Sequence, residues 1–150
     1  MTEIQKAPIS KVEARNTIKH HCLKLWDEEY QSIEKRSHYK MFQPSVLEIL
    51  PPTSDRFMDS MLFRLRTGHC RLNYHLHRIG TKDSPDCDYC GMPETVAHFL
   101  TICSQFTHQR SFVISKVQEL NMPFTARSLL TEPILQPYVK AYVALCRKQL

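Results

Sequence analysis

Four residues with metal-binding side chains lie within a short stretch of this chain. Cys87 and Cys90 are separated by two residues, His98 follows after seven more, and Cys103 after another four. A close pair of cysteines can chelate one ion from a tight turn, and a His and a Cys on a following helix can complete a tetrahedron. Three thiolates and one imidazole form a closed set, so the spacing predicts a structural rather than catalytic Zn²⁺ site.

Two other interpretations of these residues stay open in the sequence. Cys87 and Cys90 could be ordinary loop cysteines, with Cys103 packed in the core as a small apolar residue. His108, five residues after Cys103, could replace it as a ligand. The composition of the loop favours the interpretation as a metal site. A segment of Ser, Pro and Asp buries little apolar surface, and a bound ion would supply the stability that an apolar core provides elsewhere.

The composition of the chain argues against several classes of protein. The 150 residues are 42% hydrophobic and 23% charged, which suits one domain with one core rather than a disordered tail. The apolar runs are too short to cross a membrane, and the N-terminus has no apolar signal core. We therefore expect an intracellular protein, nuclear or cytoplasmic and not secreted, with reduced cysteines. We also expect a single helical domain over residues 1–150, with residues 1–9 disordered.

Helical periodicity recurs along the chain and predicts a mainly α-helical protein. We expect about five or six helices in a small orthogonal bundle, with a zinc-knuckle subdomain at residues 81–106 inserted between helices. Pro93 suits the first turn of the helix that carries His98. Later helices are predicted around residues 72–79, 106–120 and 138–146.

The first two helices have the clearest patterns. The first is predicted to begin at Ser10, which forms a capping box with Glu13. Its apolar face is expected to enter the core with Trp26 as anchor, and it comprises Ile18, Cys22, Leu25, Trp26, Tyr30 and Ile33. The second is predicted to run from Thr53 or Ser54 to Gly68, with its inward face made of Phe57, Met58, Met61, Leu62 and Leu65.

Positive charge is concentrated just before the cysteine pair. Residues 60–82 contain no Asp or Glu, although the whole chain has a net charge of only +5. One interpretation is a surface that follows a phosphate backbone and stacks a base on its tyrosine, through Arg64, Arg66, Arg71, Tyr74, Arg78 and Lys82. The other is a solvated helix face whose arginine stems cover the edge of the core.

These motifs together resemble a known family. Residues 64–80 read RLRTGHCRLNYHLHRIG, and DSP at residues 83–85 and ET at residues 94–95 accompany the four Cys and His positions. The block resembles the region after RNase H in reverse-transcriptase polyproteins of non-LTR (LINE-type, jockey-like) retrotransposons. LWDEEY at residues 25–30 is similar to the tryptophan-containing helix of that region. The resemblance implies a zinc knuckle that helps hold template RNA or target DNA, with reverse transcriptase and RNase H domains upstream.

Two functions follow as expectations. The first is a non-catalytic, zinc-binding module that holds RNA or DNA through the basic segment beside the knuckle. The second is a structural or protein-interaction domain that docks on the polymerase or RNase H part of a longer polyprotein. An enzyme is not expected, because no pair of carboxylates stands in a catalytic context. Neither a membrane nor a small-molecule substrate is expected as a partner.

Overall fold

A computed structural model describes residues 9–33, 38–48, 50, 52–53 and 55–148. The α-helices in these ranges are α1 (Lys11–Ser32), α2 (Arg56–Thr67), α3 (Asn73–Arg78), α4 (Thr107–Glu119), α5 (Ala126–Thr131) and α6 (Gln136–Leu145). Turns of 3-10 helix cover His38–Met41, Ser104–Phe106 and Pro133–Leu135, and a π-helical turn covers His98–Ile102. The prediction of a small, mainly α-helical fold with a Cys and His cluster is confirmed.

The chain groups into two compact units. One consists of residues 1–36 with 43–49, and the other of residues 37–42 with 50–150. The predicted single domain over residues 1–150 stays a prediction, and the predicted disorder at residues 1–9 lies outside the described residues except for Ile9. Among the described residues, no helix has the length and apolar character needed to cross a bilayer.

The start of α1 agrees with the sequence in detail. Ser10 Oγ accepts a hydrogen bond from the Glu13 N–H at 3.1 Å, and the Ser10 N–H donates to Glu13 Oε2 at 2.9 Å. The capping box is therefore present and supplies partners for the unpaired amides at the helix start. It also lowers the pKa of the Glu13 carboxyl through the backbone and side-chain hydrogen bonds from Ser10.

The apolar face of α1 is not in a core, and the prediction of Trp26 as a core anchor is wrong. The Trp26 side chain is 59% exposed, and no residue of α1 is buried. Within its unit, α1 is held mainly by polar contacts. The Tyr30 hydroxyl donates to the Gln43 carbonyl at 2.8 Å, and Asp27 accepts from Ser45 Oγ and from the Val46 N–H, each at 2.8 Å. Periodicity identified the residues of the face, but a stripe is buried only where another element packs on it.

The core of the second unit is built from α2, the segment after α3, and α4 to α6. Buried side chains at its centre are Phe42, Leu62, Leu65, Leu72, Phe99, Leu100, Val113, Val117, Leu129, Leu130, Leu135, Val139 and Tyr142. The aromatic rings of Phe99, Phe106 and Tyr142 meet within this core, with centroids 5.3 to 6.4 Å apart. The core thus reaches directly to the segment that carries His98 and Cys103.

Helix α2 begins at Arg56, two or three residues later than predicted, and buries four of its five expected residues. Its N-cap is Asp55, whose carboxylate accepts from the Phe57 and Met58 N–H groups at 2.9 and 3.3 Å. Met58, Met61, Leu62 and Leu65 are buried, whereas Phe57 is 69% exposed, so its predicted inward position is wrong. Phe57 lies in the first turn, where its ring is 5.9 Å from the Lys140 ammonium.

Gly68 ends α2 in a conformation that favours glycine, and we expect Gly68→Ala to destabilise the second unit. Its φ is +73°, and an added Cβ would lie 3.0 Å from the His38 ring. That ring also contacts the Leu65 carbonyl through Nε2 at 3.0 Å. The left-handed backbone alone costs an alanine about 1 kcal/mol, and the displaced imidazole should raise the loss in unfolding free energy to about 2 kcal/mol.

Gly80 provides the matched control for this substitution. It has the same φ of +73°, but nothing lies within 4 Å of its added Cβ. Urea unfolding should therefore show a smaller loss for Gly80→Ala than for Gly68→Ala. Equal losses would mean that the His38 contact contributes nothing.

Two local predictions differ from the structure. Pro93 does not start a helix, because it pairs with Asp86 in an isolated antiparallel bridge and helical backbone begins at Val96. Helix α5 was not predicted, since its six residues are too few to show periodicity. The sequence nevertheless contained a capping signal for α5, the residue Thr125. In the structure Thr125 is the N-cap, and its Oγ1 accepts a hydrogen bond from the Ser128 N–H at 3.1 Å.

Candidate metal centre

A tight turn presents the first two cysteines. The Cys87 N–H donates to the Met92 carbonyl at 2.7 Å, and the Gly91 N–H donates to the Cys87 carbonyl at 2.9 Å. The Asp86 and Pro93 bridge closes the base of the turn, and Gly91 adopts a φ of +70° within it. The turn therefore brings the sulfurs of Cys87 and Cys90 towards the same point.

A π-helical turn presents the other two residues. His98 and Cys103 are five positions apart, and on an α-helix they would point about 140° away from each other. Here the Cys103 N–H donates to the His98 carbonyl at 2.8 Å, and this hydrogen bond spans five residues as in a π-helix. The wider turn brings the two side chains to the same side, and Cys103 lies at its end as expected.

The four side chains meet. Their ligand atoms all lie within 4.8 Å of one another, which confirms the predicted grouping of Cys87, Cys90, His98 and Cys103. The sulfurs of Cys87 and Cys103 are 3.8 Å apart, and Cys90 Sγ is 3.3 Å from His98 Nε2. Two thiolates bound at about 2.3 Å to one tetrahedral ion lie about 3.8 Å apart, and a sulfur and nitrogen about 3.6 Å apart. The spacing therefore suits one metal ion.

The cluster is enclosed by protein. Cys87, His98 and Cys103 are no more than 4% exposed, and Cys90 is partly buried. All the cysteines are free thiols, so the short sulfur separation is not a disulfide. His108 is exposed on α4 and does not belong to the cluster, which removes it as the substitute ligand.

The pKa values of the side chains in the cluster are shifted in different directions. Burial raises the pKa of the Cys103 thiol to about 11. Burial opposes ionisation of Cys87 as well, but hydrogen bonds from the Tyr89 and Cys90 N–H groups outweigh it and lower the Cys87 pKa. Burial lowers the pKa of His98, which favours the neutral imidazole that metals bind. Cys87 thus ionises more readily than Cys103, and a bound cation would be needed to keep Cys103 ionised near neutral pH.

The second nitrogen of His98 has an unusual environment. Among the described residues, Nδ1 is buried and has no hydrogen-bond partner. In most metal-bound histidines the other ring nitrogen donates to a carbonyl, a carboxylate or water. The orientation of His98 is instead set by its backbone, whose N–H donates to Thr95 Oγ1 at 3.1 Å, and by close packing.

Arg110 supports the π-helical turn, and sequence reasoning missed it. Its buried guanidinium donates from Nε to the Leu100 carbonyl at 2.9 Å and from Nη2 to the Phe99 and Cys103 carbonyls at 3.2 and 2.8 Å. These carbonyls lie at or beside the C-terminal end of the turn, where backbone acceptors lack partners within the helix. The signal was available, because Arg110 continues the apolar spacing of α4 between Phe106 and Val113.

Glu94 anchors the cysteine turn, and it was also missed. Its carboxylate is 2% exposed, accepts from the Asn73 N–H at 2.7 Å and pairs with Lys148. The Asn73 side chain in turn donates to the Asp86 carbonyl at 2.6 Å. These bonds connect the start of α3 and the C-terminal segment to the base of the turn that holds Cys87.

The predicted nucleic-acid contacts fall into two groups. Arg64, Arg71, Tyr74 and Arg78 are exposed on α2, α3 and the segment between them. Arg66 is half-buried, and its Nε and Nη2 both donate to the Leu130 carbonyl, at 2.9 and 2.5 Å.

The remaining predicted contact, Lys82, forms an ion pair with Asp88 at 2.9 Å. Arg66 and Lys82 therefore have protein partners close by.

The arrangement of these four side chains can hold a metal ion. The three sulfurs and one imidazole complete a four-coordinate set, which leaves no ligand position for a substrate. Soft thiolate ligands select Zn²⁺, Cu⁺ or iron–sulfur chemistry rather than Mg²⁺ or Ca²⁺. Compared with known proteins, the chain matches no protein-family model, no curated protein and no solved structure.

Proposed function

We propose that the Cys3His cluster binds one Zn²⁺ as a structural ion. Support comes from the spacing of the sulfurs, the enclosure of the cluster and the four-ligand donor set. A mononuclear tetrahedral set of this kind suits Zn²⁺ better than an iron–sulfur cluster held by cysteines alone. A reducing compartment, nuclear or cytoplasmic, would keep the thiols available.

We further propose that the chain is a non-catalytic module that holds RNA or DNA, within or derived from a non-LTR retrotransposon reverse transcriptase. The observation that carries the proposal is the exposure of Arg64, Arg71 and Arg78 in a segment without acidic residues that precedes Cys87 in the sequence. Arginine donates to phosphate oxygens in a bidentate manner, and such contacts supply most sequence-independent affinity.

Tyr74 adds a second recognition element to this surface. It is 49% exposed and lies four residues before Arg78 on α3, so the two share one side of the helix. A base stacked on the ring would place its phosphate within reach of the guanidinium. Arg66 and Lys82 are left out of the proposed contacts because both are half-buried, Arg66 against the Leu130 carbonyl and Lys82 in an ion pair with Asp88.

The salt dependence of binding tests this proposal. We expect the purified chain to bind fluorescent single-stranded RNA or DNA with an affinity that falls steeply with added salt. Replacing Arg64, Arg71 and Arg78 together by Ala should reduce the slope of log K against log salt by about two to three, since each lost phosphate contact removes about 0.7 to 0.9.

Lys24→Ala provides the control, because it removes one exposed positive charge from α1, outside the proposed surface. The slope of log K against log salt for Lys24→Ala should match that of the original chain, whereas Arg71→Ala should lower the slope by nearly one unit. Undetectable binding, or binding insensitive to salt, would contradict the proposal.

A further inference from the structure

Helix α1 carries an exposed apolar stripe, and the contacts of the described residues do not cover it. Ile18, Leu25 and Trp26 are 63%, 52% and 59% exposed, and Cys22 between them is exposed too. These positions lie on one side of the helix, whereas Asp27, which accepts from Ser45 and Val46, points about 180° away from Ile18. The polar contacts that hold α1 within its unit thus leave the stripe open.

The charges along α1 run opposite to the order that favours a single helix. The first half, residues 11–21, carries Lys11, Arg15 and Lys19 against Glu13, and the second half, residues 22–32, carries Asp27, Glu28 and Glu29 against Lys24. The helix dipole favours the reverse order. In addition, Lys11, Arg15 and Lys19 follow one another at spacings of four, where like charges repel.

An antiparallel copy of the same helix reduces both penalties. It places the basic half of each helix against the acidic half of the other, and the two dipoles then oppose one another favourably. With the two-fold axis at Cys22, facing positions have numbers that sum to 44. Arg15 then faces Glu29, and Ile18 faces Trp26. A parallel copy would place like charges together.

We propose that α1 forms an antiparallel homodimer with a second copy of this chain, centred on Cys22. The interface is isologous, so each Arg15 and Glu29 pair occurs twice. Apolar contacts among Ile18, Leu25 and Trp26 supply the affinity, and the charges set the antiparallel direction. This proposal is independent of nucleic-acid and metal binding.

A charge-swap experiment tests the arrangement. Sedimentation velocity of the full chain should show a monomer–dimer equilibrium that Arg15→Glu or Glu29→Arg each weakens by about tenfold, since two pairs become repulsive. The double variant Arg15→Glu with Glu29→Arg should restore dimerisation. Because each single change improves the helix dipole, circular dichroism should show no loss of helix, so weaker association cannot be attributed to unfolding.

Cross-linking tests the position of the axis. A short bis-maleimide should join two chains through Cys22, and Cys22→Ser should abolish the product while leaving the dimer intact. A chain that stays monomeric at all concentrations would overturn the proposal and leave the stripe for a different protein. A dimer that the charge swap does not rescue would overturn its antiparallel geometry.

Discussion

Removal of the metal is expected to unfold the knuckle segment, residues 81–106, and to destabilise the core beside it. Residues 81–93 contribute little to the core apart from Cys87, so the proposed ion would supply most of the stability of this segment. Structural Zn²⁺ in small modules contributes on the order of 10 kcal/mol of apparent binding free energy, which is comparable to the whole stability of a domain. Because Phe99 and Leu100 lie between the ligands and pack in the core, the loss should spread to α4 and α6.

Cys103→Ser is the sharpest single substitution for this test. The variant should lose tight metal binding, unfold at a lower urea concentration and exchange amide hydrogens faster over residues 85–104. Cys22→Ser is the matched control, since it removes a thiol that lies outside the cluster. The control should retain about one equivalent of zinc by elemental analysis.

The zinc affinity of the cluster is expected to depend on pH. Metal binding releases protons from thiols, and the Cys103 pKa is raised to about 11 by burial in the metal-free protein. Zinc affinity should therefore fall as the pH is lowered, and proton release on binding should be measurable by titration. A purified chain that holds no metal and is unaffected by a chelator would contradict the assignment.

Arg110→Met is expected to destabilise the second unit by about 2 to 4 kcal/mol, although the residue touches no side-chain atom of the Cys3His cluster. The substitution keeps the aliphatic part of the side chain but removes the guanidinium, which donates to the carbonyls of Phe99, Leu100 and Cys103. The Phe99 carbonyl keeps the Tyr142 hydroxyl and the Cys103 carbonyl keeps the Phe106 N–H, so the Leu100 carbonyl loses its donor outright. One unsatisfied buried acceptor costs about 1 to 3 kcal/mol, and the loss of the guanidinium's hydrogen bonds to the other two carbonyls adds to this cost. Because Cys103 is held through its carbonyl, we also expect zinc affinity to fall by about tenfold.

Arg127→Met provides the matched control for Arg110→Met. Arg127 donates to the Met41 carbonyl at 2.7 Å, but it is exposed, so water can replace it. Urea unfolding with a constant m-value, together with competition against a zinc chelator, should separate the two variants. Equal stability of Arg110→Met and Arg127→Met would show that the guanidinium does not support the turn.

The metal cluster could be predicted from the sequence because its ligands are close along the chain. A tight turn and the helical segment after it determine most of the geometry, and these are local structures. The capping box at Ser10 and the end of α2 at Gly68 were predictable for the same reason. The π-helical turn was not, because the choice between an α-helical and a π-helical hydrogen bond depends on the contacts around it.

Internal partners of charged residues could not be predicted from the sequence. Arg66 belongs to the acid-free segment by sequence, but its donors are engaged by a carbonyl 64 positions away. Arg110 and Glu94 are buried by partners that the chain brings together only on folding. A charge pattern in the sequence identifies which residues are basic. Whether such a side chain is exposed depends on whether the fold places backbone carbonyls without hydrogen-bond donors beside it.

The sequence by itself therefore determined the helical class, the first cap and the grouping of Cys87, Cys90, His98 and Cys103, since each depends on interactions between residues a short distance apart in the chain. Only the tertiary structure decided which apolar faces are covered and which charges are internal. It left Trp26 and Phe57 exposed and buried Arg110 among carbonyls. The physical reason is that periodicity specifies which residues share a face, whereas burial requires a second surface that is distant in the chain.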